Sequence, residues 1–208
     1  MSGSDILMIV ITVIAAYMIG NINPAIIIGK LKGIDIRKEG SGNAGMTNTI
    51  RVMGMGAGIA VFAVDVLKAV VAVKLGFSFC GSGGAMAAFA GVVLGHCYPA
   101  VFGFKGGKGV ASAFGAALAL NWPSACLALL VAGILFLITR RMSVASLVAA
   151  LSYPALVFHF DRQYFIFAIC AALFLMLTHS ANIKRIAKGE EKPLTVGGSN
   201  KSEDKEQV

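Results

Sequence analysis

The sequence predicts an all-α integral membrane protein, folded as a bundle of seven transmembrane helices. Of the 208 residues, 57% are hydrophobic and only 13% are charged, with a mean hydropathy of +0.81, whereas soluble domains average about 25% charged residues. The apolar residues form runs whose lengths suit a bilayer crossing. The basic residues gather in every second connection between these runs, as expected when positive charge stays on the cytoplasmic side.

Seven apolar segments account for the predicted spans. They comprise residues 6–28, 55–76, 84–102, 110–121, 125–139, 143–160 and 164–178. The first segment is long enough to cross a bilayer and no basic residue precedes it, so we interpret it as a retained span rather than a cleaved signal peptide. The fourth and fifth segments are short and are separated by Trp122-Pro123. They are either two tilted helices or include a re-entrant one.

The positive charges predict the orientation of the bundle. They follow the first, third, fifth and seventh segments: Lys30, Lys32, Arg37, Lys38, Arg51, Lys105, Lys108, Arg140, Arg141, Lys184, Arg185, Lys188 and Lys192. The other connections hold one basic residue, Arg162. We therefore expect an outside N-terminus and a cytoplasmic C-terminus, which is consistent with seven spans rather than six.

Residues 1–194 form a single transmembrane domain in this prediction. Residues 195–208 form a polar tail without apolar periodicity, which we expect to be disordered. The net charge of +8 is mainly a topology signal that also attracts anionic lipid and anionic substrates, and no segment is typical of a nucleic-acid-binding module. The four cysteines are scattered without the spacing of a metal site or a disulfide framework.

The first polar constellation spans residues 40–51 and contains three glycines within six residues. Glycines let the backbone curl and present its amides to an anion. Ser41, Asn43, Thr47 and Asn48 offer neutral hydrogen bonds, and Arg51 offers a planar fork that matches phosphate oxygens. The alternative is a flexible loop leading into the second span.

The second constellation consists of Lys105, Gly106, Gly107, Lys108 and Gly109. It is not a Walker loop, because Gly107-Lys108 is followed by glycine rather than serine or threonine. The three glycine amides can still point at a phosphate at the start of the fourth span, where the helix dipole adds positive potential. The alternative is a tight cytoplasmic turn with topogenic lysines.

The third constellation follows the last span. His179 and Asn182 are three residues apart, so a continued helix would place them on one face. A histidine, with a reference pKa of about 6.5, can accept a hydroxyl proton or donate to a phosphate. A basic stop-transfer sequence explains the neighbouring lysines and Arg185 but not these two residues.

Three further residues lie inside apolar segments. Asp65 and Lys68 are three residues apart in the second segment, and they form either a neutralising pair or part of a substrate site. His96 lies near the end of the third segment. It is either a structural histidine or a residue that contacts the substrate or holds the loop.

These residues, in this order and spacing, resemble the bacterial membrane glycerol-3-phosphate acyltransferases that use acyl phosphate, the PlsY family. The matching residues are Gly40-Ser41-Gly42-Asn43-x-Gly45-x-Thr47-Asn48-x-x-Arg51, then Asp65-x-x-Lys68, Gly95-His96-x-Tyr98-Pro99, Phe104-Lys105-Gly106-Gly107-Lys108-Gly109-Val110-Ala111, Arg141-x-Ser143, His179-x-x-Asn182-Ile183-x-Arg185 and Gly189-x-Glu191. The resemblance runs from the first span to about Leu194.

The resemblance implies a reaction and its participants. A fatty acyl group would pass from acyl phosphate to the 1-hydroxyl of sn-glycerol 3-phosphate. This step would yield lysophosphatidic acid and inorganic phosphate at the start of phospholipid synthesis. The active site would face the cytoplasm at the bacterial inner membrane, in contact with lipid, and no cofactor, metal, nucleic acid or obligate protein partner is expected.

The resemblance also assigns roles to residues. The catalytic group comprises Ser41, Arg51, His179 and Asn182. The substrate- or phosphate-binding group comprises Asn43, Thr47, Asn48, His96, Lys105, Gly106, Gly107, Lys108, Gly109 and Ser143. Asp65, Lys68 and Glu191 would support them. Which phosphate site holds which substrate stays open, as does whether His179 or a substrate phosphate accepts the hydroxyl proton.

Two other function classes remain as alternatives. A transporter of phosphorylated metabolites would also need basic, glycine-rich sites, but it predicts inverted repeats and a midplane site, and no repeat is visible in the sequence. Another kind of lipid enzyme is disfavoured because the soluble-type acyltransferase signature requires aspartate five residues after histidine, and Val101 follows His96 at that distance. The aspartate-rich magnesium motif of phosphatidyl-alcohol transferases is also missing from the sequence.

Overall fold

The structure, a computed structural model, describes residues 2–195, and these residues fold into helices without a β-strand. The α-helices are α1 (Gly3–Gly20), α2 (Pro24–Leu31), α3 (Met46–Met53), α4 (Met55–Cys97), α5 (Val110–Leu120), α6 (Trp122–Thr139), α7 (Met142–Phe160), α8 (Phe165–Thr178) and α9 (Ser180–Ala187). Short 3-10 helices cover Ala100–Phe102 and Arg162–Tyr164. The all-α prediction is confirmed for this part of the chain, and the predicted tail lies outside the described residues from position 196 onward.

The first span is interrupted, whereas the sequence predicts one continuous apolar segment over residues 6–28. Helix α1 ends at Gly20 and α2 begins at Pro24. Proline has no backbone N–H to continue a helix but fits well in a first helical turn. The side chain of Asn23 accepts a hydrogen bond from Ile26 N at 3.1 Å, which caps the new helix.

Helix α4 consists of two arms that fold back on each other. The backbone leaves the helical region at Cys80 and Gly81, and Gly81 has a φ of +57°. A Cβ built on Gly76 would collide with the carbonyl oxygen of Gly84, and the converse also holds. In a straight helix these two positions would be about 12 Å apart. The turn therefore falls within the predicted connection at residues 77–83.

The number of bilayer crossings stays a prediction. Within residues 2–195, four helical stretches are long and apolar enough to cross: Gly3–Leu31, Met55–Phe102, Trp122–Thr139 and Met142–Phe160. The pair α8 and α9, bent by 67°, is a fifth candidate, and α5 is apolar but short. Because Met55–Phe102 doubles back at Gly81, its two arms provide two of the seven helical segments that the sequence predicts.

Small residues allow the helices to pack closely around α4. Helix α1 runs along α4, where a Cβ on Gly95 would collide with the carbonyl of Tyr17. The buried core is rich in alanine, including Ala16, Ala69, Ala88 and Ala116, as in membrane helices that approach through small side chains. Large apolar side chains remain exposed on the outside of the bundle, as expected for a surface in contact with lipid.

Candidate active site

A polar cavity of about 130 Å³ lies where the three polar constellations meet. Its walls come from α3 and the loop before it, from α4, from the starts of α5 and α7, and from the α8–α9 junction, α9 and the segment after α9. The predicted site residues that line it are Ser41, Asn43, Thr47, Arg51, Asp65, His96, Lys108, Gly109, Ser143, His179, Asn182 and Glu191. The fold thus brings together residues that are far apart in the sequence.

Asn48 is a predicted substrate contact that does not line this cavity. Its side chain is fully buried. The amide nitrogen donates to the carbonyls of Ile36 at 3.1 Å and Glu39 at 2.9 Å, and the amide oxygen accepts from Ser41 N at 2.8 Å. Asn48 therefore shapes the loop that carries Ser41 and Asn43 instead of reaching the cavity itself.

The loop at residues 105–109 differs from the predicted nest of free amides. Gly106 N donates to the carbonyl of Cys97 and Gly107 N to the carbonyl of His96, both at 3.1 Å. Two of the three glycine amides expected to meet a phosphate are therefore occupied by the end of α4. Lys105 is exposed and lies outside the cavity, so of the two loop lysines it is Lys108 that reaches the site.

The N-terminus of α5 supplies the positive potential that the loop amides do not. Gly109 takes the N-cap position with a φ of +85°, and no side chain of the described residues caps this helix. Val110 and Ala111, in its first turn, line the cavity. The first N–H groups of a helix have no intrahelical acceptor, and the helix dipole favours an anion at this end.

Lys108 lies where the second and third constellations are in contact. Its ammonium group donates to the side-chain oxygen of Asn182. Burial lowers the pKa of Lys108 to about 8, and the nearby charges of Arg185 and Arg51 act in the same direction. Clustered cations destabilise one another's charged forms, so a bound anion stabilises them.

His179 occupies the bend between α8 and α9. Its Nδ1 lies 2.8 Å from the carbonyl oxygen of Leu175, and because a carbonyl only accepts, Nδ1 carries the proton. Nε2 is left with a lone pair and no hydrogen-bond partner among residues 2–195. Burial lowers the pKa of His179 to about 4, and the charge of Lys108 contributes. The ring is therefore neutral at pH 7 and a weak proton acceptor.

Glu191 fastens the segment after α9 to the site. One carboxylate oxygen accepts from Ser143 Oγ at 2.6 Å and from Asn182 Nδ2 at 2.7 Å, and the other accepts from Arg185 Nε at 2.6 Å. Burial raises the pKa of Glu191, but these hydrogen bonds outweigh it and leave the pKa below its ordinary value. The carboxylate thus orients Asn182, and through it Lys108.

Lys68 ties helix α4 to the interrupted first span. Its ammonium group lies 2.6 Å from Asp65 Oδ1 and donates to the carbonyls of Gly20 at 3.1 Å and Ile22 at 2.6 Å. These carbonyls lie at the end of α1 and just beyond it, where no intrahelical N–H is available to them. Lys68 does not line the cavity, so between the two interpretations of the Asp65–Lys68 pair the contacts favour the structural one.

His96 is held by the same network. Its Nδ1 lies 3.1 Å from both Asp65 Oδ1 and Lys68 Nζ. An ammonium group has three protons, and those of Lys68 go to Asp65 and two carbonyls, so Nδ1 of His96 donates to Asp65. This fixes the orientation of a ring that is only 2% exposed and yet borders the cavity.

Two parts of the site were missed in the sequence. Arg185 lines the cavity, whereas a stop-transfer sequence is enough to explain it in the sequence. Its position three residues after Asn182 places both on one helix face and is the signal that could have identified it. An apolar groove of about 150 Å³ also adjoins the cavity and shares Phe62, Val110 and Met142 with it. Its lining side chains are mostly alanine and phenylalanine, which in a sequence cannot be distinguished from packing residues.

The chain is similar over most of its length to glycerol-3-phosphate acyltransferases. The family model with that description matches residues 10–189. A curated protein of the same name from Alkaliphilus metalliredigens is 39% identical over 186 residues, covering 88% of this chain and 95% of that protein. Another from Aquifex aeolicus is 40% identical over 185 residues, covering 86% and 95% respectively.

Solved structures give the same likeness in three dimensions. The crystal structure of PlsY (YgiH), an integral membrane glycerol 3-phosphate acyltransferase, in its glycerol 3-phosphate form, matches with a TM-score of 0.84 and 34% identity. The match covers 93% of this chain and 96% of that one. The lysophosphatidic acid form of the same protein matches with a TM-score of 0.81 and 34% identity, covering 92% and 95%.

Proposed function

The chain belongs to the glycerol-3-phosphate acyltransferase family, and we propose that it transfers a fatty acyl group from acyl phosphate to the 1-hydroxyl of sn-glycerol 3-phosphate. The products are lysophosphatidic acid and inorganic phosphate. The proposal includes a setting in the bacterial inner membrane with seven crossings, an outside N-terminus and an active site on the cytoplasmic face.

One observation carries the proposal more than any other: a cavity lined by cationic side chains adjoins an apolar groove. Arg51, Lys108 and Arg185 line the cavity, and Phe62 and Met142 line both the cavity and the groove. Both proposed substrates carry phosphate, and one also carries a long apolar chain. A site that joins the two environments suits an acyl phosphate, and its polar part has room for the phosphate of an acceptor.

The cavity offers two places for phosphate. Lys108 and the N-terminus of α5 form one, and Ser41, Arg51 and His179 form the other, with Asn43 and Thr47 as neutral hydrogen-bonding neighbours. Which substrate occupies which place stays open. Acyl phosphate is already activated, so the site can act largely by positioning two anions and balancing their charge.

The hydroxyl proton must leave the acceptor as the new ester bond forms. The acceptor O–H bond and the acyl–phosphate bond break, the ester C–O bond forms, and the departing phosphate ends with the proton. The transfer runs either through Nε2 of His179 or directly to a substrate phosphate oxygen. The low pKa of His179, about 4, favours the direct route, with His179 contributing a polar contact.

A donor comparison tests the function. Purified protein is supplied with radiolabelled glycerol 3-phosphate and, in separate reactions, with acyl phosphate, acyl-CoA or acyl-carrier protein. We expect labelled lysophosphatidic acid with acyl phosphate alone. Product formed only with acyl-CoA would overturn the donor assignment, and a lack of product with every donor would overturn the activity, provided that the purified protein remains folded.

A further inference from the structure

His96 contacts the loop at residues 105–109 in two ways, both at Gly107. Its backbone carbonyl accepts the N–H of Gly107 at 3.1 Å. Its ring lies on the side of Gly107 to which a side chain would point, because a Cβ built on Gly107 would collide with His96 Nε2. Gly107 is therefore enclosed between the carbonyl and the imidazole of one residue.

The imidazole that encloses Gly107 is held rigidly. Nδ1 of His96 donates to Asp65, and Asp65 in turn pairs with Lys68 at 2.6 Å. Asp65 is 1% exposed and Lys68 is 6% exposed, so water competes little for these bonds. The ring thus has a fixed position relative to the middle of α4.

Gly107 directly precedes Lys108, so the place of Gly107 decides where the lysine side chain begins. We infer that His96 is a positioning residue, which holds Gly107 so that the Lys108 ammonium faces a phosphate in the cavity. The inference rests on the proposed function, because it concerns the phosphate that Lys108 meets there. It gives Asp65 and Lys68 an indirect part in substrate binding through the ring that they orient.

A double-mutant cycle tests the contact between His96 and Gly107. Gly107→Ala places a methyl group against the His96 ring, and we expect the KM for one phosphate substrate to rise about tenfold. His96→Ala removes the ring and raises the same KM because the loop is no longer held. The double variant is expected to be no worse than the poorer single variant, since the added methyl then occupies the space of the missing ring.

Gly106 provides a matched control. A Cβ on Gly106 would collide with the backbone carbonyl of His96 and lie 2.6 Å from Pro99 Cδ, and both atoms persist when the His96 side chain is removed. The effects of Gly106→Ala and His96→Ala should therefore multiply. The carbonyl oxygen of Ala44 lies 2.9 Å from a Cβ on Gly107 and also remains when the His96 side chain is removed. His96→Ala therefore relieves only part of the steric clash that Gly107→Ala creates.

The kinetic pattern separates positioning from other roles. Positioning predicts a raised KM for the substrate at Lys108, with kcat and the other KM changed less than threefold. A loss confined to kcat, or multiplicative effects in the Gly107 cycle, would overturn the inference. If His96→Ala does not fold, His96→Asn replaces it in the cycle, because its amide reaches the place of Nδ1 beside Asp65 and lacks the ring atoms that meet Gly107.

A binding measurement makes the two failures distinguishable. The same variants are tested for protection against thermal unfolding by glycerol 3-phosphate and by inorganic phosphate, which needs no turnover. The wild type could make no product from acyl phosphate while the effects of His96→Ala and Gly107→Ala on thermal protection are still non-additive. In that case the proposed function fails and the inference stands. If turnover is normal but the two substitutions act independently, the inference fails and the proposed function stands.

Discussion

The charge of Lys108 should make the KM for one phosphate substrate depend on pH. Burial lowers its pKa to about 8, so the ammonium form dominates below pH 8 and is lost above it. We expect the KM for one phosphate substrate to rise as pH increases from 7 to 9. In Lys108→Arg the charge persists throughout this range, so the rise should be absent even if the overall activity is lower. Steady-state kinetics between pH 6.5 and 9.5 measure both profiles.

Lys105 is the natural control for the charge of Lys108. It lies in the same loop but is exposed and outside the cavity. Lys108→Ala should lower kcat/KM about 100-fold, as expected for losing a charged hydrogen bond worth up to about 3 kcal/mol. Lys105→Ala should stay within about twofold of the wild type. Equal losses in the two variants would contradict the assignment of the phosphate contact to Lys108.

At the scale of single residues, the sequence predicts which side chains reach the cavity better than it predicts what each does. Arg51, Lys108 and His179 belong to short motifs whose residue types suit phosphate, and all three line the cavity. The amides of Gly106 and Gly107 looked equally suitable, but their acceptors are carbonyls at the end of α4. Such a partner is set by tertiary packing, and no local pattern in the loop reveals it.

The hairpin in α4 depends on one backbone conformation. Gly81 has a φ of +57° and a ψ of −145°, a region open almost only to glycine. A Cβ on Gly81 or on Gly83 would meet no atom within 4 Å, so the two sites differ mainly in backbone angle. Gly81→Ala should destabilise the protein by about 1–3 kcal/mol, and Gly83→Ala should not. Thermal unfolding in detergent compares them, and equal midpoints would show that the turn does not need glycine.

Element boundaries follow from the sequence where a local signal exists. The break at residues 21–23 could have been predicted from Asn23-Pro24, a helix cap followed by a favoured first residue. The turn at Gly81 lies within residues 77–83, the stretch containing Ser78, Gly81, Ser82 and Gly83 that separates two predicted apolar segments. The direct contact between the two arms at Gly76 and Gly84 has no such local signal, since small residues in a span are equally compatible with many partners.

The apolar groove should limit the acyl chains that the site accepts. Ala117 lines it about 10 Å along α5 from Val110, one of the residues shared with the polar cavity. Ala117→Phe should fill this part and lower kcat/KM for long-chain acyl phosphates about tenfold, while short chains react as before. Rates across a series of chain lengths test this, and unchanged short-chain activity verifies the fold.

Tyr153 offers a conservative control in the same groove. Its hydroxyl is buried without a hydrogen-bond partner among the described residues, so Tyr153→Phe removes no bond and fills the same space. The chain-length profile of that variant should match the wild type. A parallel loss of short and long chains in Ala117→Phe would indicate general damage to the bundle and not a chain-binding groove.

The whole molecule combines an apolar exterior with a strongly asymmetric distribution of charge. Among the four predicted cytoplasmic connections, three contribute to the polar cavity through Arg51, Lys108 and Arg185. The fourth, before α7, is followed by Met142 and Ser143, which also line the cavity. The proposals of orientation and of phosphate binding thus rest on the same residues, since cations that favour a cytoplasmic loop also favour a phosphate. This coincidence is why a sequence pattern that predicts orientation also locates most of the site.

That coincidence leads to a prediction about topology. Single cysteines are introduced into a variant whose four native cysteines (Cys80, Cys97, Cys126 and Cys170) are replaced, once its activity is verified. An impermeant maleimide should label Ser78→Cys and Gln163→Cys in intact cells, because both exposed positions lie in connections with few positive charges. Lys105→Cys and Lys184→Cys, also exposed, should react only after the membrane is opened. If positions 105 and 184 reacted from opposite sides, Lys108 and Asn182 could not meet in one cavity, and both the orientation and the shared phosphate site would be wrong.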